Sequence, residues 1–203
     1  MGKNIEPQYR LIFCEKLRIV LYTAMHINKD CPPVFLVGPR CSGKTTLAGL
    51  LAERFGLSCR DTDAILTAEA GMSVSEIVER EGWEGFRKRE SRALAAAAVP
   101  GAVVSTGGGA VLDPQNRALM HASGLVIYLD APAEVLGERL ARDGSIHRRP
   151  SLTGEDPKQE MARVLAERDP LYRASAHCRV DASPPPQAVL EAVAAFLEDV
   201  LNS

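Results

Sequence analysis

The segment with the clearest chemical meaning is a glycine-rich octapeptide in the first quarter of the chain. It reads Gly38-Pro39-Arg40-Cys41-Ser42-Gly43-Lys44-Thr45 and matches the phosphate-loop pattern G-x-x-x-x-G-K-[ST]. Glycines let successive backbone N–H groups turn toward phosphate oxygens, while Lys44 reaches the β- and γ-phosphates and Thr45 a Mg²⁺ ion. Such a match arises by chance in roughly 1% of chains of this length. We therefore predict a nucleotide-binding site, in which Cys41 occupies a variable position that suits a small residue.

Two carboxylates follow the second segment that is predicted to be a strand. Asp61 and Asp63 are separated by one residue, so their side chains point the same way in an extended chain. One carboxylate could then approach Mg²⁺ through water while the other faces a substrate hydroxyl. Capping of the next helix is the alternative, because Asp is a favoured N-cap residue. Beside a phosphate loop, the functional interpretation is favoured.

A charged cluster in a predicted helix contains a candidate anion-binding group. Arg87 and Glu90 are three residues apart and therefore lie on one helix face, where Glu90 could hold Arg87 in a fixed pose. A solvated run of charges is the commoner outcome for such a cluster. Without other information, the sequence favours that alternative.

A run of three glycines, Gly107, Gly108 and Gly109, follows another predicted strand. Glycine leaves the backbone bare, and ligands of parallel α/β sheets bind at the carboxyl ends of the strands. The run therefore favours close approach of a ligand over a simple tight turn. Farther along, residues 143–155 are polar, contain two glycines and carry Arg149. This composition suits a lid over a triphosphate, and it suits a solvated loop equally well.

The segments around these residues alternate between strand and helix patterns. Apolar runs predict strands at 34–37, 58–60, 102–105 and 125–129, with a weak last strand around Val180. Helical spacing predicts helices at 44–55, 63–70, 73–80, 83–98 and 187–201, with further starts at Pro114 and Pro132. One helix is expected to end, and another to begin, between Arg168 and Tyr172. The alternation predicts a parallel sheet covered by helices on both faces.

The first 31 residues stand apart from this pattern. Apolar residues between Tyr9 and Met25 recur at close to helical spacing, which favours an appended amphipathic helix. Translation that begins at Met25 is the alternative. Charged residues interrupt the apolar run and no cleavage-site pattern follows it, so a secretory signal is not expected.

Composition and charge narrow the class of protein. The 203 residues are 46% hydrophobic and 25% charged, the balance of a globular domain rather than of a disordered or fibrous chain. No run of 18 uncharged apolar residues occurs, so we expect no membrane span. The net charge of −2 argues against a nucleic-acid partner bound by a broad basic surface. Five cysteines without a CxxC pair indicate reduced thiols and a cytoplasmic protein.

Taken in order, these motifs resemble those of the shikimate kinases, and several are most similar in wording to the second, enterobacterial type. The motifs are GPRCSGKTT, DTD, GFRKRE, STGGG, RRPSLTG and ERDPLY. The resemblance extends from about residue 33 to residue 201, everything except the N-terminal extension. The phosphate loop is shared with many nucleotide-hydrolysing proteins, but its combination with the other motifs is specific to this family.

The resemblance implies a fold and a reaction. The fold is the α/β P-loop NTPase type related to nucleoside monophosphate kinases, with three α/β/α layers, a five-stranded parallel sheet and a mobile lid. The kinase domain would span residues 32–203 with its lid at about 141–155, after an extension at 1–31. The implied reaction transfers the γ-phosphoryl group of ATP to the 3-hydroxyl of shikimate. Its products, ADP and 3-phosphoshikimate, lie on the route to chorismate and the aromatic amino acids.

The resemblance also implies roles for individual residues. Lys44, Asp63 and Arg149 would be catalytic, Lys44 and the lid arginine on the phosphates and Asp63 on the ring hydroxyls. ATP would be bound by Gly38, Arg40, Cys41, Ser42, Gly43, Lys44, Thr45, Thr46, Arg139 and Arg149, with Arg139 against adenine. Shikimate would be bound by Asp63, Arg87, Gly107, Gly108, Gly109 and Arg168, the two arginines gripping its carboxylate. One Mg²⁺ ion would accompany ATP, held by Thr45 and, through water, by Asp61.

Three alternatives stay open at this point. Another small-metabolite kinase, such as a gluconate kinase, also has a polyhydroxy acid as its acceptor. A nucleoside monophosphate kinase is disfavoured because Asp61 and Asp63 suit a phosphorylated acceptor poorly. A catalytically silent relative that binds shikimate for regulation is disfavoured by the intact Lys44 and Thr45. We thus expect ATP and shikimate as partners of a cytoplasmic monomer that binds neither nucleic acid nor membrane, with the extension leaving the oligomeric state open.

Overall fold

Six strands form the central sheet of the computed structural model, which describes residues 9–11, 27–142 and 156–201. In chain order they are β1 (Tyr9–Leu11), β2 (Val34–Val37), β3 (Ser58–Asp61), β4 (Ala102–Ser105), β5 (Leu125–Asp130) and β6 (Cys178–Asp181). Their spatial order is β1-β6-β5-β2-β4-β3. Strands β2 to β6 run parallel to one another. The α/β fold with five parallel strands is therefore confirmed.

Helices flank this sheet. In chain order those of the described residues are α1 (Lys44–Phe55), α2 (Thr62–Ala70), α3 (Val74–Ala97), α4 (Pro114–Ser123), α5 (Ala133–Arg142), α6 (Pro157–Ser175) and α7 (Pro186–Leu201). The two helices predicted at 73–80 and 83–98 are confirmed: α3 consists of two helical segments that meet at a kink at Gly82, whose φ of 68° and ψ of 178° are not helical. The break expected after Arg168 is wrong, because α6 continues through Pro170. A proline removes one backbone hydrogen bond, and here the rest of the helix persists around it.

The N-terminal extension contributes a strand where the sequence predicted a helix. Tyr9–Leu11 pairs antiparallel with Cys178–Val180 at the edge of the sheet. An edge strand presents a row of unpaired N–H and C=O groups, and pairing with them overrides the weak helical spacing of this segment. The result is a sixth strand beside the five parallel ones. The rest of the predicted helix, residues 12–25, lies outside the described residues.

Apolar side chains form a separate core on each face of the sheet. Successive strand residues point to opposite faces, so Leu36 and Ile127 pack in one core, and Phe35 and Tyr128 pack in the other. All residues of β2 and β4 are buried, as expected for parallel strands that are covered on both sides. None of the helices within the described ranges is long and apolar enough to cross a membrane.

The carboxyl ends of the parallel strands meet at one edge of the sheet, and this edge carries the motifs. β2 leads into the phosphate loop, β3 ends at Asp61 and β4 ends at Ser105. β2 lies between β4 and β5, so the chain reverses its direction of progress across the sheet at β2. Parallel α/β sheets bind their ligands in the crevice that forms at such a reversal.

Candidate active site

The phosphate loop begins where β2 ends and closes at the first turn of α1. Positive φ angles occur at Gly38 (148°), Cys41 (64°) and Gly43 (90°). These angles let the chain turn sharply enough for successive N–H groups to face the inside of the loop, where an anion would bind. α1 begins at Lys44, so its positive dipole end points toward the same space.

Lys44 folds over the loop that it ends. Its Nζ donates to the carbonyl oxygens of Pro39 (2.7 Å) and Gly38 (3.0 Å) and lies 3.4 Å from Ser42 Oγ. The residue is only 8% exposed. A buried ammonium group that is held by carbonyl oxygens favours an anion at this place, because an anion neutralises its charge.

A cluster of hydroxyl and carboxylate groups lies next to the loop. Thr45 Oγ1 donates to Asp61 Oδ2 at 2.8 Å and lies 3.1 Å from Ser105 Oγ. The other oxygen of Asp61, Oδ1, accepts from the N–H groups of Asp63 (3.0 Å) and Ala64 (3.1 Å) at the start of α2. Asp61 therefore caps α2 with one carboxylate oxygen and faces the phosphate loop with the other. Helix capping and a role beside the nucleotide are thus compatible for this residue.

The donor set of this cluster fits a small divalent cation. Mg²⁺ prefers oxygen ligands, keeps several waters and binds through one or two protein groups together with substrate phosphates. Thr45, Asp61 and Ser105 supply two hydroxyls and one carboxylate beside the phosphate loop. Across residues 27–142 and 156–201, no three His, Cys, Asp or Glu side chains are grouped to hold a metal. The oxygen donors of Thr45, Asp61 and Ser105 fit a Mg²⁺ ion that binds together with phosphate oxygens.

A cavity of about 620 Å³ joins the phosphate loop to the triple-glycine turn. Its wall includes Lys44, Asp63 and Gly108, so the loop, the predicted acceptor aspartate and the turn share one space. The remaining predicted ATP-binding residues that line it are Arg40, Cys41, Ser42, Gly43, Thr45, Thr46 and Arg139. A volume of this size is in the usual range for a small-molecule site.

Arg87 is oriented by its neighbours in α3. Its Nη1 donates to Glu90 Oε2 at 2.5 Å, the pairing that the i,i+3 spacing suggested. The guanidinium also lies over the rings of Trp83 (5.6 Å) and Phe86 (5.2 Å). A Cβ at Gly109 would overlap the guanidinium, so the last glycine of the turn leaves room for Arg87. The solvated alternative is wrong for this arginine, whose side chain is 26% exposed.

Glu90 is the centre of the polar groups at the turn. It is 2% exposed, and burial raises the pKa of its carboxyl above the usual value, against the opposing effect of Arg87. The charge of Asp63 raises this pKa further, and that of Arg168 lowers it. A Cβ at Gly107 would meet oxygens of both Glu90 and Asp63. Two cations and two carboxylates therefore surround the turn.

Arg168 reaches the same turn from α6. Its Nη1 donates to the carbonyl oxygen of Gly108 at 3.2 Å, and the Tyr172 hydroxyl donates to the same oxygen at 2.5 Å. On the other side of the turn, the N–H of Gly107 donates to Thr62 Oγ1 at 2.9 Å. The structure thus brings Arg87 and Arg168 to the triple-glycine turn, and Gly108 of this turn lines the cavity together with Asp63.

Arg139 lines the cavity between the phosphate loop and the segment before α7. It donates to the carbonyl oxygens of Ser183 (3.0 Å) and Cys41 (3.5 Å). Its stacking on adenine stays a prediction. Arg149 and residues 143–155 of the predicted lid lie outside the described residues, while residues 141 and 142 belong to the end of α5.

Three side chains that hold these groups were not singled out from the sequence: Thr62, Ser105 and Tyr172. A signal existed for two of them. Ser105 is a polar residue at the end of a buried strand, where ligands of parallel sheets bind. Tyr172 follows Arg168 by four residues, which places both on one face of a helix. That spacing carried no weight while a helix break was expected between them.

Comparison with known proteins finds relatives over most of the chain. The family described as shikimate kinase matches residues 40–198. The chain is 50% identical over 166 residues to shikimate kinase 2 of Yersinia enterocolitica, an alignment that covers 82% of this chain and 95% of the relative. It is 52% identical over 157 residues to a shikimate kinase of Oleidesulfovibrio alaskensis, covering 77% and 91%.

A solved structure shares this fold. The shikimate kinase from Acinetobacter baumannii in complex with shikimate aligns with a TM-score of 0.77 at 35% sequence identity. The alignment covers 85% of this chain and 94% of that one. The relatives are therefore matched over nearly their whole length, whereas a smaller share of this chain is matched.

Proposed function

The chain belongs to the shikimate kinase family, and on that premise we propose how its residues carry out the reaction. The enzyme transfers the γ-phosphoryl group of ATP to the 3-hydroxyl of shikimate, in the pathway to the aromatic amino acids. One observation supports the assignment of residues above all others. Asp63, which lines the cavity together with the phosphate loop, interacts with the buried carboxylate of Glu90, as do Arg87 and Arg168.

The acceptor site is proposed at these three residues. Shikimate is a small carboxylic acid with several hydroxyls, and a guanidinium group pairs with a carboxylate through two parallel hydrogen bonds. Arg87 and Arg168 would grip the carboxylate, each contact contributing about 1.5–3 kcal/mol. Glu90 already orients Arg87 through a 2.5 Å hydrogen bond, so less freedom is lost when the substrate binds. Asp63 would accept hydrogen bonds from the ring hydroxyls.

Transfer of the phosphoryl group mainly requires positioning and neutralisation of charge, because the transition state is loose. Lys44 would move from the carbonyls of Gly38 and Pro39 to the β- and γ-phosphates. Arg149 would add a second cation from the lid. Asp63 would aim the 3-hydroxyl at the γ-phosphorus and accept its proton as the new O–P bond forms and the bond to ADP breaks.

A kinase that uses ATP works with a metal ion on the nucleotide, and we propose that this ion is Mg²⁺. Thr45 would bind it directly and Asp61 through water, in keeping with their 2.8 Å contact. When bound, such an ion neutralises charge on the β- and γ-phosphates. Ser105, 3.1 Å from Thr45 Oγ1, would keep the threonine hydroxyl oriented toward it.

The proposal also covers the domain bounds, the oligomeric state and the cellular location of the enzyme. We propose a kinase domain at 32–203 with a lid at about 141–155, acting as a monomer. A cytoplasmic location is supported by the buried thiols of Cys31 and Cys178, which suit a reducing compartment.

The proposal is tested by an assay that couples ADP release to an optical signal. Purified protein with ATP and Mg²⁺ should release ADP when shikimate is added, and only at background rate with gluconate or without an acceptor. Product analysis should find the new phosphate on the 3-hydroxyl. A folded protein that binds ATP but shows no shikimate-dependent release would refute the activity. Equal release with gluconate would instead point to a broader sugar-acid kinase.

A further inference from the structure

Two buried hydroxyls hold the triple-glycine turn, and neither belongs to the residues expected to touch a substrate. Tyr172 donates to the carbonyl oxygen of Gly108 at 2.5 Å. Thr62 Oγ1 accepts from the N–H of Gly107 at 2.9 Å. Both residues are 1% exposed. The turn is therefore tied on one side to α6 and on the other to α2.

Such ties matter more for this turn than for an ordinary one. Glycine loses more backbone entropy on ordering than any other residue, and here three occur in a row. A peptide unit is planar, and its C=O and N–H point in opposite directions. Because the C=O of Gly108 is held by Tyr172, the N–H of Gly109 faces the side opposite to that tyrosine. The two hydroxyls thus decide which way the bare backbone of the turn is presented.

The Tyr172 ring is itself rigid. It stacks on Tyr128 with ring centroids 5.1 Å apart and planes at 23°. The Tyr128 hydroxyl donates to Asp169 Oδ1 at 2.9 Å, next to Arg168 in the chain. Burial raises the pKa of Tyr172 to about 12, so its hydroxyl keeps its proton and remains a donor throughout the pH range of an ordinary assay.

Arg168 shares the acceptor of Tyr172, at 3.2 Å from the Gly108 oxygen. In the proposed function Arg168 grips the substrate carboxylate, which competes with the carbonyl for its donors. The Tyr172 hydrogen bond then remains as the support of the turn. A tyrosine four residues along the same helix is well placed for this task, because both side chains lie on one helix face.

We propose that Tyr172 and Thr62 are positioning residues for the acceptor substrate. Their hydroxyls fix the triple-glycine turn in the shape that binds shikimate, without touching shikimate. The inference rests on the proposed function and adds to it two residues outside the predicted binding set.

The first test is Tyr172→Phe, which keeps the ring and its stacking and removes the donor. Loss of one such hydrogen bond is expected to raise the KM for shikimate about three- to tenfold. The KM for ATP should stay within twofold, since the phosphate loop is untouched. Ser175→Ala is the matched control: it removes a buried hydroxyl from the same helix, where it bonds the Leu171 carbonyl at 2.7 Å, and should change neither KM.

The second test uses Thr62 and does not depend on the folding of the tyrosine variant. Thr62→Val removes the acceptor at nearly constant volume and should also raise the KM for shikimate about threefold or more. Thr62→Ser restores a hydroxyl and should return the KM close to the wild-type value. A merely structural role would lower the melting temperature of Thr62→Val without this selective change and rescue.

The outcomes separate the inference from the function on which it rests. Wild-type protein without shikimate-dependent turnover would overturn both. An active wild type whose Tyr172→Phe and Thr62→Val variants keep the KM for shikimate within twofold would overturn the positioning role alone. An equal rise in both KM values would also overturn it, because the effect would then be a general loosening of the fold.

Discussion

The two edges of the parallel sheet are built from the same strands and are closed in different ways. At the amino edge, backbone hydrogen bonds join the loops to one another and to the start of β5: the N–H of Gly101 donates to the carbonyl oxygen of Cys31, that of Leu125 to Pro33, and that of His177 to Val126, at 2.8–2.9 Å. At the carboxyl edge, strands end in polar residues such as Asp61 and Ser105, and a cavity of about 620 Å³ opens beside them.

This difference separates stability from function within one sheet. Backbone hydrogen bonds at the amino edge satisfy their own donors and acceptors, so a change there costs folding free energy. At the carboxyl edge, Lys44 and Arg168 donate to carbonyl oxygens that a phosphate or carboxylate could replace as acceptors. Substitutions at this edge should therefore reduce activity more than stability. Variants at the two edges test this difference.

Lys44→Met should give the largest effect. Losing the buried ammonium group of the phosphate loop removes stabilisation of charge in the transition state and should lower kcat by about 10²- to 10³-fold. The alkyl chain is kept, so the melting temperature should change little. Lys88→Met, at a side chain that is 68% exposed, is the matched control and should be active. A Lys44→Met enzyme with near-normal kcat would remove Lys44 from the phosphates.

The pH dependence of stability tests the contribution of His177, which lies at the amino edge. Burial, with a smaller effect of His121, lowers the pKa of His177 to about 4, and its Nδ1 accepts from the N–H of Val126. In the unfolded chain the imidazole takes up a proton near pH 6.5, whereas in the folded chain it does so only near pH 4. The free energy of unfolding is therefore at its full value above about pH 6.5 and falls by up to about 3 kcal/mol as the pH is lowered to about 4. Urea unfolding from pH 7 to 4 should show a flatter profile for His177→Asn. Parallel profiles would contradict the assignment.

Arg168→Ala and Arg87→Ala should each raise the KM for shikimate about ten- to a hundredfold, because a charge-assisted pair with the carboxylate is lost. The KM for ATP should stay near normal. Arg92→Ala, at an exposed arginine of α3, is the control for loss of a positive charge nearby. Equal losses in ATP affinity would show that the two arginines do not serve the acceptor specifically.

Gly124→Ala should reduce stability and leave activity unchanged. A Cβ at this position would overlap the carbonyl oxygen of Pro33, so the variant should lose about 1–3 kcal/mol of unfolding free energy with unchanged KM values. Gly49→Ala in α1, where a Cβ has open space, should be neutral or slightly stabilising. A stable Gly124→Ala protein with altered KM values would contradict the claim that the amino edge serves stability and the carboxyl edge serves activity.

The sequence was most informative where chemistry is local. The phosphate loop, the Asp61 cap and the Arg87–Glu90 pair depend on spacings of a few residues, and a spacing of that kind fixes geometry by itself. The alternation of strands and helices likewise follows from local periodicity, so the parallel sheet was predictable.

The remaining features depend on contacts between distant residues. β1 forms because an open edge of β6 accepts it, which no pattern in residues 9–11 indicates. Tyr172 meets Gly108 across 64 positions of sequence, and Ser105 meets Thr45 across 60. A helix that continues through Pro170 also contradicts the usual effect of proline, so the face shared by Arg168 and Tyr172 was hidden.

The most direct measurement of the central claim is a crystal structure of the protein with shikimate, ADP and Mg²⁺. We expect the carboxylate between the guanidinium groups of Arg87 and Arg168, at hydrogen-bond distances of about 2.7–2.9 Å, with the 3-hydroxyl on Asp63 and facing the phosphate loop. Shikimate bound elsewhere, or with both arginines directed into solvent, would contradict the account.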